Sequence, residues 1–318
     1  MSDSKEQFHM CGNERVTFDR RKFLRGLAAT AAGVTAIGAT GGLASSAFAE
    51  EAGSPVRGRR IPNSKIGLQL YSVRNAFMAQ PEAVLRALAV AGYRKVEFAG
   101  LPGGTDPAHA PAIRALLDKY HLEAISSHHG YSEFTDENRL NQLIEMAKIL
   151  GQKYIVCPGG VPDSADGFAK AGPAFNRAGE KIRAAGMKLG YHNHTSEFQG
   201  HGPDGRTFYQ ILLDSSDPHL LHMELDMGWS SAAGLSAQDN LDLMAANKGR
   251  MLLGHVKDLH PDGSLADLGT GIVDYKTILR GATRLGMREF IIENDDQSNP
   301  LTDSRADRMH DYLATLKL

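Results

Sequence analysis

Cysteine is nearly absent from this 318-residue chain, with only Cys11 and Cys157 present. Cys11 falls in an N-terminal stretch that reads as a removable leader. The mature chain then keeps one thiol, and no internal disulfide can form. Cys157 ends a β-rich run with no pKa-lowering partner visible in sequence, so it is expected to pack as a small apolar residue. A dominant charge sign is also missing. Lys and Arg number 35 against 37 Asp and Glu, for a formal net charge of -2, so nothing asks for a nucleic-acid partner. Nor is there a long, strongly apolar run of the roughly 20 residues that a membrane span needs. The weakly hydrophobic stretch before residue 49 is rich in Gly and Thr. Low-complexity segments outside that stretch, short internal repeats and domain breaks are lacking too.

What remains is the composition of a soluble enzyme, with 42% hydrophobic and 23% charged residues. At the N-terminus, Asp19-Arg20-Arg21-Lys22-Phe23-Leu24 precedes an Ala/Gly/Thr/Val/Leu run that closes on Ser46-Ala47-Phe48-Ala49. This resembles a twin-arginine export signal with a small-residue cleavage site. The resemblance implies residues 1–49 as leader, residues 50–64 as linker, residues 65–318 as the catalytic domain, and a periplasmic or secreted product that meets the membrane only during export. Proteins on that route cross already folded, often with a metal loaded. About 270 residues would remain, close to the roughly 250 of a single (β/α)8 barrel.

From residue 65 on, short β-rich runs alternate with longer amphipathic ones. Strands are expected at Ile66–Tyr71, Lys95–Phe98, Glu123–Ser127, Tyr154–Cys157, Lys188–His192, Leu221–Leu225, Leu252–Val256 and Phe290–Glu293. Helices are expected at Pro81–Ala91, Ala110–Tyr120, Glu137–Leu150, Ala171–Ala185, Thr207–Leu213, Gln238–Ala246, Tyr275–Leu285 and Ser304–Leu316. Several of them end at a glycine (Gly92, Gly151, Gly186, Gly286) suited to a left-handed cap. Unbroken β-then-α alternation calls for a parallel sheet covered by helices, and eight units favour closure into an α/β (β/α)8 TIM barrel. An open doubly wound sheet would carry a Gly-rich phosphate loop after its first strand. Tyr71-Ser72-Val73-Arg74-Asn75 is no such loop.

In a barrel the chemistry gathers where strands end. Those ends are polar here: Gln69-Leu70-Tyr71, Glu97, His128-His129, His192-Asn193-His194 then Glu197, Glu224-Leu225-Asp226 then Trp229, His255-Val256-Lys257-Asp258, and Glu293-Asn294-Asp295. Buried ionisable groups must be paired, hydrated or metal-bound, so several acids and histidines at one mouth point to a cation. The best-fitting ligand set takes Glu197, Asp226, His255 and Glu293 from the last four strands, with Glu224 or His194 competing for the place of Glu197. Taken singly, a strand-end acid can cap a helix and a histidine can be satisfied in a core. Three carboxylates and one imidazole suit Mn2+, Mg2+ or Co2+, with Zn2+ as a further option.

These strand ends resemble the xylose-isomerase-like superfamily of sugar isomerases and epimerases. The carriers are Leu68-Gln69-Leu70-Tyr71-Ser72, Val96-Glu97-Phe98, Gly190-Tyr191-His192-Asn193-His194 with Glu197-Phe198, Leu225-Asp226-Met227-Gly228-Trp229, His255-Val256-Lys257-Asp258 and Gly269-Thr270-Gly271-Ile272-Val273-Asp274-Tyr275. The resemblance implies a metal held by Glu197, Asp226, His255 and Glu293. The two glutamates then move protons next to a substrate carbonyl through an enediolate. His129, His192, His194 and Lys257 are expected to line substrate hydroxyls, with Tyr71, Glu97 and Trp229 shaping the pocket. The implied activity is sugar isomerisation or epimerisation. The alternative is a lyase or hydratase acting on 3-keto-glycosides with the same metal. The partner in either case is a small sugar or glycoside, and a homo-oligomer is compatible with both. The second strand-five His, the Trp after Asp226, and the lack of an Arg shortly past Lys257 depart from the ketose 3-epimerase pattern, which leaves the particular substrate open.

Overall fold

Eight apolar runs form parallel strands in the computed structural model, which describes residues 60–296 and 305–318. The twin-arginine motif and the expected leader lie outside the described residues. The strands are β1 (Ile66–Gln69), β2 (Lys95–Phe98), β3 (Glu123–Ser127), β4 (Tyr154–Cys157), β5 (Lys188–His192), β6 (Leu221–Asp226), β7 (Met251–Val256) and β8 (Glu289–Ile292). Every residue of β1, β2, β4, β6, β7 and β8 is buried, as parallel strands covered on both faces must be. Neighbours run β3-β2-β1-β8-β7-β6-β5-β4. The remaining gap is closed by a bridge between His128 and Val156, with the His129 amide donating to the Val156 carbonyl (2.9 Å) and the Lys153 amide to Ile125 (3.0 Å). The chain is therefore the expected (β/α)8 barrel.

The outer layer is α1 (Pro81–Val90), α2 (Ala110–Tyr120), α3 (Glu137–Leu150), α4 (Ala165–Ala184), α5 (Phe208–Ser215), α6 (Ala237–Ala246), α7 (Tyr275–Ala282) and α8 (Arg305–Thr315). Gly92, Gly151, Gly186 and Gly286 all have positive φ, as expected of C-terminal caps. The largest departure is α4, which starts six residues before the expected Ala171. Ser164 caps it by accepting from the Gly167 amide (3.0 Å), and the helix runs through Gly172 and Pro173. Gly172 is required by contact with the end of α5, because a Cβ there would come within 2.4 Å of the Ser215 carbonyl oxygen. Gly172 is thus a packing residue. Ile61, expected in the linker, is 2% exposed and belongs to the core.

Two apolar clusters result. The large one fills the space between sheet and helices. The small one joins Ile125, Tyr154, Val156, Leu252, Leu253 and Ile291. Leu253 and Ile291 share the pleat face of His255 and Glu293, so this cluster plugs the bore beneath the polar mouth.

Candidate metal and substrate site

Alternation along each strand decides which polar side chains enter the bore. On β6, Glu224 and Asp226 both point inward. His192 enters from β5, Glu97 from β2 and His255 from β7, while His128 and Glu293 follow β3 and β8. Together with Lys257 and Asp295, these seven side chains form two tiers. In the deeper tier, Glu97 Oε1 accepts from Gln69 Nε2 (2.7 Å) and lies 2.8 Å from His255 Nε2 and 3.0 Å from His128 Nε2. The Ser126 hydroxyl donates to its other oxygen. Glu224 Oε2 lies 2.7 Å from His128 Nε2, 3.1 Å from His192 Nδ1 and 3.3 Å from His255 Nε2.

The outer tier holds Asp226, Glu293, Lys257 and Asp295. Lys257 Nζ is 3.2 Å from Asp226 Oδ2, 3.0 Å from Glu293 Oε2 and 2.8 Å from Asp295 Oδ2, and lies 4.3 Å from the centre of the Trp229 ring. Glu293 Oε2 is also 3.0 Å from His255 Nδ1. Asp226 Oδ1 accepts from the Trp229 amide (2.8 Å) and so caps the short helix Met227–Ala232, which is the structural role open to a strand-end acid. Gly228 lets that helix sit on the mouth, since a Cβ would come within 2.5 Å of the Lys257 carbonyl oxygen.

Burial raises the cost of every charge here, and the neighbours decide the outcome. Burial opposes protonation of His128, yet Glu97 and Glu224 outweigh it and carry the imidazole up to about 10. His255 is raised well above the usual histidine range for the same reason, against burial, by Glu224, Glu293 and Glu97. His192 moves the other way, lowered by burial and by the cationic groups around it. Despite burial, Glu293 is held far below the usual carboxylate range by Lys257 and His255. Glu224 is raised, by burial first and then by Glu97. Asp295 is pushed up to about 6 by burial and Glu293. Five carboxylates thus share three cationic groups, Lys257, His128 and His255, and a divalent cation would supply the positive charge still wanting.

The residues fit such a cation. Among the described residues, His192, Asp226, His255 and Glu293 each offer one donor atom, all within 4.8 Å of one another, and His128, His192, Glu224 and His255 form a second such group. Asp226 Oδ2 and Glu224 Oε1 are buried without a hydrogen bond, the state expected of a ligand oxygen or an acceptor awaiting one. Lys257 contacts Asp226 Oδ2 and Glu293 Oε2, so the ammonium and a metal would share the same carboxylates.

Three of the four expected ligands therefore meet: Asp226, His255 and Glu293. Glu197 does not join them. Its Oε1 accepts from the Tyr191 hydroxyl (2.7 Å), and its Oε2 accepts from the His194 amide (2.9 Å) and the Ser196 hydroxyl (3.1 Å). Tyr191 occupies the pleat face opposite His192 and packs on Phe168 and Phe175 of α4, so Glu197 is drawn out of the bore. His192 takes its place in the donor set, where neither Glu224 nor His194 had been the residue to displace it.

Among the expected substrate residues, His129 also turns outward. Its Nε2 bonds the Ser127 hydroxyl (2.8 Å), and burial with the His128 charge lowers its pKa to about 3. His128 is the residue that enters. Lys257, Trp229 and His194 do sit together at the mouth, with His194 centred 5.0 Å from His192 and 6.3 Å from Trp229. Glu97 lies deeper than a pocket-shaping residue, at the foot of the network. Tyr71 stays on the rim, 37% exposed, with the Arg74 guanidinium 4.0 Å from its ring centre. Glu224 and Asp295 had a usable signal, since each stands two residues from a proposed ligand on the same strand path. For His128 against His129 the register shift between Val96 and Glu97, opposite β3, hides the parity.

The same architecture recurs in known proteins. A sugar phosphate isomerase/epimerase from Parabacteroides distasonis superposes with a TM-score of 0.68 at 23% identity, covering 80% of this chain and 95% of its own. The probable 3-DHS dehydratase AsbF from Bacillus anthracis gives 0.57 at 15% identity, covering 78% and 98%. An AP endonuclease, family 2, from Brucella melitensis gives 0.56 at 16%, covering 75% and 95%. At such identities the likeness is one of fold. No curated protein matches the chain. The sequence profile of one family matches residues 85–314, most of the chain, and by that match the protein belongs to the xylose isomerase-like TIM barrel family.

Proposed function

We propose that the chain catalyses metal-assisted proton transfer next to the carbonyl of a sugar-like substrate, with isomerisation or epimerisation as the first reading. One observation carries it: His192, Asp226, His255 and Glu293 converge at the barrel mouth beside Lys257. Bound there, a divalent cation supplies Lewis-acid polarisation of the carbonyl and makes the neighbouring C–H proton easier to remove. Two imidazoles and two carboxylates favour Mn2+, Co2+ or Zn2+ more than the three-carboxylate set would, and Mg2+ less.

Glu293 is the base. Lys257 and His255 keep it ionised at neutral pH and thereby lower its basicity, so acidification of the C–H proton by the metal carries the transfer. Lys257, fixed between Asp226, Glu293 and Asp295, donates to a substrate oxygen that gains negative charge. The Trp229 face and His194 orient the sugar ring. Asp295, pushed up to about 6 by burial and by Glu293, can trade protons with solvent near neutrality.

A second reading, elimination from or hydration of a 3-keto-glycoside, is favoured by the position of Glu197. Two-base epimerisation needs a carboxylate on each face of the substrate, and the bonds of Glu197 to Tyr191 and His194 leave Glu293 as the nearer of the two. Elimination needs one base and one acid. Glu293 would take the proton next to the carbonyl, the C–O bond opposite would break, and the Lys257–Asp295 pair would return a proton to the departing oxygen. Export by the twin-arginine leader would put the enzyme among glycosides.

The test is a solvent-deuterium exchange screen of the metal-loaded full chain with keto sugars and 3-keto-glycosides, read by NMR. Deuterium entering beside the carbonyl with no fragment released supports isomerisation or epimerisation. Aglycone release supports elimination. Neither outcome across the panel sinks the proposal. In Glu293→Gln the rate should fall by about 10²- to 10⁴-fold with near-UV circular dichroism unchanged.

A further inference from the structure

The deeper tier carries a role of its own. It rests on the metal reading above and concerns how the two histidine ligands are presented. His192 and His255 each face both tiers with different ring nitrogens. His192 turns Nδ1 to Glu224 (3.1 Å) and Nε2 toward Asp226 (3.9 Å). His255 does the reverse, turning Nε2 to Glu97 (2.8 Å) and Nδ1 toward Glu293 (3.0 Å) and Asp226 (3.9 Å). We infer that Glu97 and Glu224 are positioning residues that hold His255 and His192 in opposite tautomers, so that His255 offers Nδ1 and His192 offers Nε2 to a divalent cation.

The physical reason is that a neutral imidazole has one N–H and one lone pair. A carboxylate accepts the N–H, and the lone pair is left on the far nitrogen, aimed at the metal. Glu97 can do this because its own orientation is fixed from below. The Tyr71 amide donates to Gln69 Oε1 (3.1 Å), which sets the Gln69 amide so that its nitrogen points at Glu97 Oε1 (2.7 Å), and the Ser126 hydroxyl holds the other oxygen. His128 Nε2 lies between Glu97 Oε1 and Glu224 Oε2 and locks the two acids together. With all these partners Glu97 is saturated, and of the two acids only Glu224 Oε1 lacks a hydrogen bond. The tier is built as a hydrogen-bonded support, and one metal per chain is the consequence.

Two measurements test this. In full-length protein labelled with 15N-histidine and loaded with Zn2+, long-range 1H–15N correlation should find the ring proton of His192 on Nδ1 and that of His255 on Nε2. The same tautomer on both, or the reverse pair, overturns the inference, and this readout needs no variant to fold. Calorimetric titration with Mn2+ should give one equivalent in the wild type, and Glu97→Gln and Glu224→Gln should each bind about 10- to 100-fold more weakly. Unchanged affinity in both variants overturns the positioning role alone, and two equivalents show that the deeper tier is itself a metal site. A wild type that binds no divalent metal removes the metal reading of the mouth as well.

Discussion

Both ends of the barrel bury charge, and they do so differently. At the N-terminal end, Lys95 Nζ pairs with Glu289 Oε2 at 2.5 Å. Arg250 donates to the carbonyls of Leu221 (3.0 Å) and Leu213 (2.8 Å) and to the Ser216 hydroxyl (2.5 Å). Lys95 and Arg250 both have their acceptors there, and no carboxylate oxygen at that end is buried without a hydrogen bond among the described residues. At the mouth, Asp226, Glu293 and Asp295 crowd around Lys257 while Glu97 and Glu224 share His128 and His255 beneath them, and two carboxylate oxygens lack hydrogen bonds. The lesson is that burial of charge alone does not mark a site. The mark is an imbalance that the protein leaves for something else to settle.

The largest effect that would sharpen this contrast is expected at the mouth. Asp226→Asn keeps the helix cap through Oδ1 but replaces a charged donor, and Mn2+ affinity should fall by at least about 100-fold, given that even groups behind the ligands are worth 10- to 100-fold. Isothermal titration checks it, and a change of only a few-fold would remove Asp226 from the ligand set.

At the other end, Lys95→Met leaves Glu289 buried and unpaired. Stability should drop by about 3 kcal/mol, the scale for breaking a buried pair, with Mn2+ affinity unchanged. Urea unfolding and titration read the two separately. An affinity loss without a stability loss would erase the distinction between the ends.

A pH series on the chelated protein is the third probe. The folded His128 is raised from an ordinary 6.5 to about 10, so its contribution is fully present below 6.5 and is lost as pH rises toward 10. The melting temperature of metal-free protein should therefore decline from pH 7 to pH 10. A flat profile would mean that His128 is not the cation holding Glu97 and Glu224 together.

The smallest effect is predicted at Glu197. Glu197→Gln loses part of its bonding to Tyr191 and His194, which should cost about 1 kcal/mol, while the exchange rate stays within about threefold. A thousandfold loss would return Glu197 to the proton-transfer machinery.

Most of the fold was legible because each strand is a short apolar run bounded by turn residues. The eight observed strands fall within two residues of expectation at every end. Helix α4 begins six residues before the expected Ala171, at a serine cap that precedes Gly167, Gly172 and Pro173, and only the packing against Ser215 shows what Gly172 is for. In the site, parity along the strands accounts for the convergence of Asp226, His255 and Glu293. Glu197 was misplaced because it stands past the strand on the turn Ser196–Gln199, where period-two alternation no longer applies and the Tyr191 hydroxyl decides its direction. His128 and His129 are neighbours with opposite fates, and sequence gives no means of choosing between them across a register shift.

The seam between β3 and β4 is joined by a single bridge where the other joints carry ladders of three or four paired residues, and His128 stands on it. Its ring reaches Glu97 on β2 and Glu224 on β6, staves on different sides of the bore. The imidazole acts as a tie-rod across the cylinder, so the wall cannot spread at this joint without pulling a cation away from two anions, and the shape of the barrel mouth is braced from inside.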